Sequence, residues 1–472
     1  MSTRNSLVSP VPSLPTRVHL LGICGRLVGG LALVLRERGV TVSGSDEMQF
    51  APMPELLRQA GITVHASWQA DHVPRKVDAI IVGALVSTEN PEYIEALGRK
   101  VPVWNATAFL EHFFLRAGSH NLVVIGTKGK TTATAMLAWI LARAGRAPDY
   151  MIGGQVRGNL GRLRLTEAAL TVLEGDEYWC APADPIAKFL RYHPHQLIVT
   201  NVGYDHREIY ATPELYTAAF QQAAEQLPQD GVMILNADDP GALALLGHTS
   251  RRTQRVGFAA EADCRITHCR SSSRGMSFRL CDVPFRIGLS GRMQVQNAAL
   301  AAVAAQQAGV ALDVAAAALA EFPGLEGRQE LLARAGRLRI YYDDVYLPMA
   351  VKASLEAIRT RHPRQRLVVF FIPQYTGGRT ADAQRELPEC LGIADVAVIS
   401  WCLDYPIPAR PFSQRKLCQD LRKRGLEAYP AKNIMVLAGM AAKLCRPDDV
   451  VLLALCLGAD EFARDITRAI LH

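Results

Sequence analysis

The residues best suited to chemistry lie in a short glycine-rich loop near the middle of the chain. An apolar stretch at 122–125 precedes the loop and a helical pattern from Ala133 to Ala144 follows it, which predicts a strand, a turn and a helix. Glycines let backbone amides converge on phosphate oxygens, and the N-terminus of a helix adds partial positive charge. The loop consists of Gly126, Thr127, Lys128, Gly129, Lys130, Thr131 and Thr132.

This loop predicts a site for a nucleoside triphosphate. Lys130 can reach the β- and γ-phosphates, and the hydroxyl of Thr131 can bind Mg²⁺. The general phosphate-loop pattern has a further glycine where Val124 stands, so this loop is shorter. A glycine-rich turn with a chance Gly-Lys-Thr sequence is the alternative interpretation. The strand and the helix on either side favour nucleotide binding, because they are the context that a phosphate loop requires.

Polar side chains follow two later strands. Glu174 comes directly after the apolar run 170–173, and His206 comes shortly after the run 196–200. The carboxyl ends of parallel strands face the crevice in which ligands bind, and Mg²⁺ prefers hard oxygen ligands. A lone histidine is more often structural, but a position just after a strand and beside Asp205 favours a ligand role. The sequence therefore predicts a magnesium site next to the loop.

A second glycine turn near the start of the chain predicts another ligand site. Strand 18–21 leads into Gly22 and Gly25, a helical stretch covers Leu31 to Arg38, and a second strand leads to Asp46. An acidic residue at the end of the second strand is typical of nucleotide-binding units of this kind. A structural turn or an NAD-dependent oxidoreductase uses similar residues, but an oxidoreductase leaves the phosphate loop unexplained.

The elements that must position these residues alternate between strands and helices in three successive blocks. This alternation predicts parallel sheets covered by helices, hence an α/β protein. We predict three domains: a Rossmann-like N-terminal domain at 1–117, a central P-loop ATPase domain at 118–324 and a Rossmann-like C-terminal domain at 325–472. The chain has 472 residues, enough for several domains with separate cores.

Composition excludes several classes of function. The net charge of +7 suits anionic ligands, but Lys and Arg are scattered, which argues against nucleic acid as a partner. No apolar run approaches the ~20 residues that cross a bilayer, and residues 1–16 lack a signal-peptide pattern, so we expect a cytoplasmic protein without membrane partners. The 10 cysteines lack zinc-knuckle spacing and are expected to be reduced. Nothing in the sequence indicates an oligomeric state.

The shortened phosphate loop resembles that of the Mur ligases and the folylpolyglutamate synthetases, and the resemblance to the Mur ligases extends almost end to end. The Gly22 turn and the segment ending at Asp46 look like the uridine-nucleotide domain of the muramate-binding members, a domain that folate-tail ligases typically lack. The stretch from Glu177 to Pro194, which includes Lys188, is similar to the UDP-N-acetylmuramate:tripeptide ligases of cell-wall recycling. The L-alanine ligases are the nearest sibling branch.

The resemblance implies an ATP-dependent, ADP-forming ligase that joins the carboxylate of a UDP-N-acetylmuramate-like substrate to an amino acid or peptide amine through an acyl phosphate. It implies ATP and Mg²⁺ as cofactors and small molecules as binding partners. The implied catalytic residues are Lys130, Glu174, His206 and Arg328, and the implied metal ligands are Thr131, Glu174 and His206. The implied nucleotide-binding residues are the loop 126–132, Asn236, Asp238, Asn297, Arg328, Asp343 and Asp344. The implied substrate-binding residues are Gly22, Gly25, Asp46, Lys188 and Arg379.

The sequence also departs from the family pattern. Segment 343–348 is one residue shorter than its family counterpart and contains no histidine, and a later motif keeps Arg379 but lacks a second arginine. Met293 and Gln294 replace a usual His-Asn pair, and Gly203 replaces a common glutamate. Two interpretations stay open: an active ligase with an altered amine or acid substrate, and a degenerate paralogue that binds nucleotide without ligating. The intact phosphate loop favours activity.

Overall fold

The computed structural model describes residues 13–49, 52–115, 120–158, 160–207, 209–373, 379–400, 412–455 and 460–471. In this part of the chain the main sheets follow one another along the sequence, at 17–105, 120–287 and 330–454. The predicted α/β class with three sheet-containing units is confirmed. The domain boundaries at 117 and 324 stay predictions. Within the described ranges, no helix combines the length and the apolar character that crossing a bilayer requires.

The first domain is built on a five-stranded parallel sheet. Its elements are β1 (Arg17–Leu21), α1 (Arg26–Glu37), β2 (Thr41–Ser45), α2 (Met53–Gln59), β3 (Thr63–His65), β4 (Ala79–Val82), α3 (Pro91–Gly98), β5 (Val103–Asn105) and α4 (Ala106–Phe114). The strand order is β3-β2-β1-β4-β5. Strand β4 is buried throughout, as expected for a parallel strand covered on both faces. Helix α1 begins directly after Gly25, earlier than the predicted start at Leu31.

The central domain has a larger sheet that positions the phosphate loop. Its elements are β6 (His120–Ile125), α5 (Lys130–Arg143), β7 (Asp149–Met151), β8 (Leu163–Arg164), β9 (Leu170–Glu174), β10 (Trp179–Ala181), β11 (Asp184–Ala187), β12 (Gln196–Val199), α6 (Pro213–Glu225), β13 (Val232–Asn236), α7 (Pro240–Ala244), β14 (Arg252–Gly257), β15 (Cys264–Ser272), β16 (Gly275–Leu280), β17 (Val283–Ile287), α8 (Arg292–Gln307) and α9 (Leu312–Ala320).

The strand order of this sheet places three polar segments side by side. The order is β17-β16-β15-β14-β13-β12-β6-β9-β7-β8, so β6 lies between β12 and β9 and pairs in parallel with both. The segments that follow β6, β9 and β12 therefore emerge at one edge of the sheet. Those segments carry the phosphate loop, Glu174 and His206. Behind the sheet, α5 packs against α8, and both helices are largely buried.

One expectation about the cysteines is wrong. Cys264 and Cys281 form a disulfide in the structure, with their Cα atoms 5.3 Å apart. The antiparallel pairing of β15 with β16 brings the two residues together, because Ile266 lies opposite Leu280. The sequence showed the cysteines but not this pairing, which depends on the register of the hairpin. Cys402 and Cys456 lie outside the described residues.

The third domain carries a six-stranded sheet with the order β18-β19-β23-β20-β21-β22. Its elements are β18 (Glu330–Ala335), β19 (Leu338–Asp343), α10 (Pro348–Arg361), β20 (Leu367–Phe371), α11 (Ala381–Leu391), β21 (Val396–Ile399), α12 (Gln414–Lys423), β22 (Glu427–Pro430), α13 (Ile434–Leu444), β23 (Val450–Ala454) and α14 (Asp460–Leu471). Strand β18 is antiparallel to β19, and the other pairs are parallel. Strand β19 ends at Asp343, so that carboxylate lies at the edge of the sheet where the parallel strands end.

The connection between the central and third domains is held in a defined conformation. Gly327 and Gln329 both adopt left-handed backbone angles, with φ of 63° and 46°. The side-chain amide of Gln329 accepts a hydrogen bond from Ser290 N and donates one to Ser290 O, both at 2.9 Å. Gly327 N donates to Glu330 Oε2 at 2.7 Å. These bonds fix Arg328, which lies between the two left-handed residues.

Candidate active site

The phosphate loop is shaped by two glycines that no other residue could replace without strain. Gly126 has a φ of 139° and Gly129 a φ of 85°. A Cβ on Gly126 would lie 2.1 Å from Thr200 Oγ1, and a Cβ on Gly129 would lie 2.5 Å from Asn297 Oδ1. Gly129 caps helix α5, which begins at Lys130, earlier than the predicted start at Ala133. The loop therefore packs tightly against the segment after β12 and against α8.

We expect the substitution Gly126→Ala to lower the free energy of unfolding by about 2–3 kcal/mol, because it adds both a backbone strain and a steric overlap. Urea denaturation measures this difference. Gly98→Ala is the matched control, since a Cβ on Gly98 meets no atom within 4 Å. Equal stability of the Gly126 and Gly98 variants would contradict the described loop geometry.

The two polar side chains at the start of α5 are already engaged. Lys130 Nζ donates to Gly126 O at 2.6 Å and forms an ion pair with Glu177 Oε2 at 2.7 Å. Thr131 Oγ1 donates to Glu174 Oε1 at 2.7 Å. The other oxygen of Glu174 accepts a hydrogen bond from Gly153 N at 2.6 Å. Lys130 and Thr131 are thus each held against a carboxylate.

The remaining loop contacts join the phosphate loop to the segment after β12. Thr127 Oγ1 donates to Gly203 O at 2.6 Å, and Lys128 N donates to Asn201 Oδ1 at 3.0 Å. The backbone oxygen of Lys128 accepts from Thr200 Oγ1 at 2.7 Å. Thr132 is buried at the start of α5. The loop is therefore pre-ordered by this neighbouring segment.

A group of three side chains has the spacing of a cation site. Asp176, Glu177 and His206 each offer a ligand atom, and these atoms lie within 4.8 Å of one another. His206 Nε2 lies 3.4 Å from Glu177 Oε1, and Asp176 Oδ2 lies 2.5 Å from Lys188 Nζ. Of the predicted metal ligands, only His206 belongs to this group. Glu174 lies next to it, paired with Thr131.

The oxygen-rich donor set is compatible with magnesium. Three carboxylates and the hydroxyl of Thr131 surround the start of α5, and hard oxygen ligands are those that Mg²⁺ prefers. Lys188 forms an ion pair with Asp176, and its contact with the substrate stays a prediction. The arrangement thus offers both a positive group for phosphate and carboxylates for a cation.

The electrostatic balance of the site follows from these pairs. Burial opposes the charge of Lys130, but Glu177, Asp176 and Glu174 together hold the pKa of Lys130 above its usual value. Burial likewise opposes the charge of Glu177, while Lys130 and His206 hold the pKa of this carboxyl below its usual value. The Lys188 ammonium has the same effect on Asp176, whose pKa is lowered despite burial. These directions keep Lys130, Glu177 and Asp176 charged at neutral pH.

Sequence analysis assigned no role to Glu177, although it is the most central carboxylate of the site. It is only 1% exposed and contacts the assigned residues Lys130 and His206. Tyr210 Oη donates to its backbone oxygen at 2.6 Å, which fixes the turn. Its position just after β9, three residues from Glu174, was the available signal. The direction of each side chain beyond the strand end could not be read from that signal.

The predicted nucleotide-base residues lie on the other side of the loop. Asn297 is buried against Gly129, and Asn236 Nδ2 donates to Thr200 O at 2.9 Å. Asp238 accepts hydrogen bonds from the backbone amides of Phe258 and Ala259 at 2.8 and 2.9 Å. Asp238 therefore shapes the β14 end of the sheet. These residues surround the loop without contacting Lys130.

Arg328 and Asp344 face the central site from the third domain. Arg328 Nη1 donates to the backbone oxygen of Asp344, and its Nη2 lies 3.8 Å from Asp344 Oδ2. Burial opposes the charge of Arg328, but Asp344, Asp343 and Glu174 together hold its pKa above the usual value. Glu174 is thus close enough to act electrostatically on Arg328. The structure brings together the four predicted catalytic residues Lys130, Glu174, His206 and Arg328.

Asp343 is a buried acid whose titration affects stability. Burial raises its pKa from 3.8 to about 6, while Arg328 and the hydroxyl of Ser354, at 2.6 Å, oppose this increase. The folded state therefore binds a proton more tightly than the unfolded state. The stability that this proton provides is complete below pH 4 and is lost as the pH rises to about 6.

We expect Asp343→Asn to reduce the loss of stability between pH 4.5 and 7 by at most about 2 kcal/mol, since the range from pH 4.5 to the folded-state pKa of about 6 covers about 1.5 pKa units. Urea denaturation of both proteins at the two pH values measures the effect. Asp313→Asn, which changes an exposed carboxylate on α9, is the control and should keep the wild-type dependence. Equal pH dependence in wild type and Asp343→Asn would contradict the prediction.

The predicted substrate-binding residues are spread over the three domains, whereas the predicted catalytic residues lie together. Asp46 is buried and accepts hydrogen bonds from Cys24 N and Met48 N, both at 2.9 Å, so its carboxylate stabilises the glycine turn itself. Gly22 has a φ of 74°, and Gly25 caps α1. Arg379 is buried in the third domain, where its Nε donates to Pro373 O. Residues 374–378 of the same motif lie outside the described residues.

Comparisons with known proteins agree with these features. Residues 17–117 match the family description "Mur ligase family, catalytic domain", and residues 124–305 match "Mur ligase middle domain". The UDP-N-acetylmuramate–L-alanine ligase of Kineococcus radiotolerans is 36% identical over 81% of each chain. The enzyme of the same name from Streptomyces avermitilis is 30% identical over 93% of this chain and 95% of its own.

Solved structures share the fold. The UDP-N-acetylmuramate–alanine ligase of Thermotoga maritima covers 96% of this chain and 98% of its own, with 22% identity and a TM-score of 0.79. A murein peptide ligase from Psychrobacter arcticus has the same coverage, 23% identity and a TM-score of 0.72. At these identities the structural likeness concerns the fold, whereas the sequence relatives extend the relationship over nearly the whole chain.

Proposed function

This chain belongs to the Mur ligase family of ATP-dependent, ADP-forming amide ligases, and we propose that it joins the carboxylate of a UDP-N-acetylmuramate-like substrate to an amino acid or peptide amine. The observation that carries the proposal is the pre-ordered phosphate loop, whose Lys130 faces a carboxylate-rich strand edge. The L-alanine ligases that match along most of the chain support a muramate substrate. The amine itself is left open.

The reaction divides into two transfers. A carboxylate oxygen of the acid substrate attacks the γ-phosphorus of ATP, and the bond to the bridging oxygen breaks as ADP leaves. The amine nitrogen then attacks the acyl carbon and loses a proton. Inorganic phosphate leaves as the amide forms. Negative charge lies on the transferring phosphoryl group in the first step and on the departing phosphate in the second step, so the protein must supply positive charge at that position.

Two residues of this chain, Lys130 and Arg328, meet that requirement. Lys130, at the start of α5, can exchange its bond to Glu177 for a phosphate oxygen, because both acceptors lie within reach of its flexible stem. Arg328 approaches from the third domain and can contact the same phosphoryl group. Glu174 and His206 hold the opposite side of the site. Their shared position at one sheet edge keeps the reacting groups aligned.

Magnesium fits the donor set of this edge. Thr131, Glu174 and the group Asp176, Glu177 and His206 are the residues that would hold it. When bound, the ion neutralises phosphate charge and orients the phosphoryl group. Closure of the third domain over the site excludes water, and this matters because an acyl phosphate is hydrolysed readily.

The amine site is the part of the chain that departs most from the family. Segment 343–348 contains no histidine, which is the observation favouring a second candidate function, a paralogue that binds nucleotide without ligating. An altered acid substrate is a further variant of the first proposal. The ligase and the paralogue that binds without ligating both keep the phosphate loop, and they differ in whether ADP is released.

A screen for ADP release tests the proposal directly. Purified protein is incubated with ATP, Mg²⁺ and UDP-N-acetylmuramate, together with single amino acids or with the murein tripeptide. ADP release that requires both the acid and one amine supports ligation. Nucleotide binding without ADP release for any amine favours the paralogue. Reactions lacking the amine serve as the control for simple ATP hydrolysis.

Calorimetry addresses the acid substrate separately. We expect UDP-N-acetylmuramate to bind more tightly than UMP, because the sugar carboxylate extends from the first domain toward the phosphate loop. A first-domain contribution would appear as reduced affinity after Gly25→Val, since Gly25 lies in the turn before α1. Equal affinity for UMP and the full sugar nucleotide would argue against a muramate substrate.

A further inference from the structure

Arg26 occupies an unusual position at the first residue of α1. Gly25 precedes it as the cap, no side chain caps the helix, and no acidic residue is present in the first turn. A positive side chain at a helix N-terminus is disfavoured by the helix dipole. The side chain is 48% exposed. Its position therefore has to be explained by a contact outside the helix.

That contact is made with the third domain. Arg26 Nη2 lies 3.6 Å from Asp344 Oδ2, and Arg328 Nη2 lies 3.8 Å from the same oxygen. Asp344 is fixed by its backbone, because its amide donates to Gly327 O at 2.8 Å and its carbonyl accepts from Arg328. One carboxylate thus connects Arg26 of the first domain with Arg328, which lies in the connection between the central and third domains.

We propose that Arg26 is a positioning residue that couples the first domain to the phosphate-binding arginine. When the first and third domains approach each other, Arg26 shares the charge of Asp344 and weakens the hold of this carboxylate on Arg328. Arg328 is then available for the transferring phosphoryl group. This inference rests on the proposed function in one respect, namely that Arg328 contacts that group.

The chemistry of the shared oxygen explains why the contact matters. A carboxylate that faces a single guanidinium neutralises it, and the pair offers little net charge to a phosphate. In this structure Asp344 faces two guanidinium groups, and Asp343 and Glu174 also act on Arg328. The charge of Arg26 therefore offsets part of the negative charge around Arg328, and it does so only where the first domain, the segment around Arg328 and Asp344 meet. Sequence analysis could not find Arg26, because its partner lies more than 300 positions away along the chain.

Steady-state kinetics of Arg26→Ala test the proposal. We expect kcat to fall about fivefold, as for the loss of one partly exposed ion pair, while the KM values for ATP and the UDP-sugar change less than about twofold. Arg26→Lys should restore at least about half of the wild-type kcat, since a single charge contact suffices. In an Asp344→Asn background, Arg26→Ala should have little further effect.

A scattering measurement separates this inference from the proposed function. We expect Arg26→Ala to have a larger radius of gyration than wild type in the presence of a non-hydrolysable ATP analogue and UDP-N-acetylmuramate. Arg58→Ala is the matched control, since Arg58 pairs with Glu55 on the surface of the same domain. If wild type releases no ADP, the proposed function fails, and the scattering difference still tests the contact.

Two outcomes would overturn the inference. A rise confined to the KM of the UDP-sugar, with kcat unchanged, would make Arg26 a simple ligand contact. Additive effects of the Arg26 and Asp344 substitutions, together with unchanged scattering, would show that the ion pair does not couple the domains.

Discussion

Replacing Lys130 with alanine should lower amine-dependent ADP release by at least about 1000-fold, because its ammonium is the group of the loop that we assign to the γ-phosphate. The ammonium is held at the start of α5 by Gly126 O and Glu177, so it is positioned before the nucleotide arrives. A coupled assay of ADP release measures the loss. The same assay with Lys130→Arg tests whether charge alone suffices.

Stability must be followed in parallel, since the alanine variant leaves Glu177 buried without its ammonium partner. Such an unpaired carboxylate costs about 3 kcal/mol or more. Circular dichroism and thermal unfolding show whether the fold persists under assay conditions. Lys416→Ala is the matched control, because Lys416 is exposed on α12 and pairs with Asp420. Turnover above about one tenth of wild type in folded Lys130→Ala would refute the assignment of this residue.

The second large effect is expected at Glu177. Glu177→Gln keeps the shape of the side chain but removes the charge that holds Lys130 and His206. We expect kcat to fall about 100-fold in the presence of Mg²⁺, in the range found when groups that orient metal ligands are removed. Without divalent metal, the same variant should bind ATP several-fold more tightly, because a negative charge beside the phosphates is gone.

These opposite changes distinguish an electrostatic role from simple damage to the fold. Calorimetry with ATP in EDTA and in Mg²⁺ measures both, and kinetics give kcat. Glu225→Gln, which changes an exposed carboxylate paired with His248 on the surface, should behave as wild type. Weaker ATP binding in both conditions would indicate that Glu177 only supports the local structure.

The general organisation of the chain could be predicted without the structure. Alternating apolar strands and helices indicated parallel sheets, and the residue types of the loop indicated phosphate binding. The position of Glu174 at a strand end indicated a metal-binding edge, because parallel strands present their carboxyl ends together. These features depend on local periodicity and on backbone chemistry, which a single sequence displays directly. The Mur ligase resemblance added the identity of the reaction.

Side-chain directions and long-range pairs required the tertiary structure. The substrate contact of Asp46 stays a prediction, and the structure shows that this carboxylate also stabilises the turn at Cys24. No role was predicted for Glu177, although the turn after β9 places its carboxylate in contact with Lys130. Both outcomes depend on backbone angles at a strand end, where the alternation that fixes side-chain direction within a strand no longer applies.

The exact helix starts and the disulfide are further features that only the tertiary structure showed. Helices α1 and α5 begin directly after Gly25 and Gly129, ahead of the starts predicted at Leu31 and Ala133. Glycine is accepted as an N-cap residue, and apolar periodicity does not show where such a cap lies. The bond between Cys264 and Cys281 depends on hairpin register.

The amino-acid sequence by itself determined which chemistry this protein carries, since a lysine in a glycine loop and acids after strands retain their character in any arrangement. The tertiary structure decided which of those groups meet. The strand order β12-β6-β9 and the approach of the third domain set the contacts of Lys130, Glu177, Arg328 and Arg26. Interactions between charged groups fall steeply with distance and with exposure to water, so only the folded arrangement fixes their strengths.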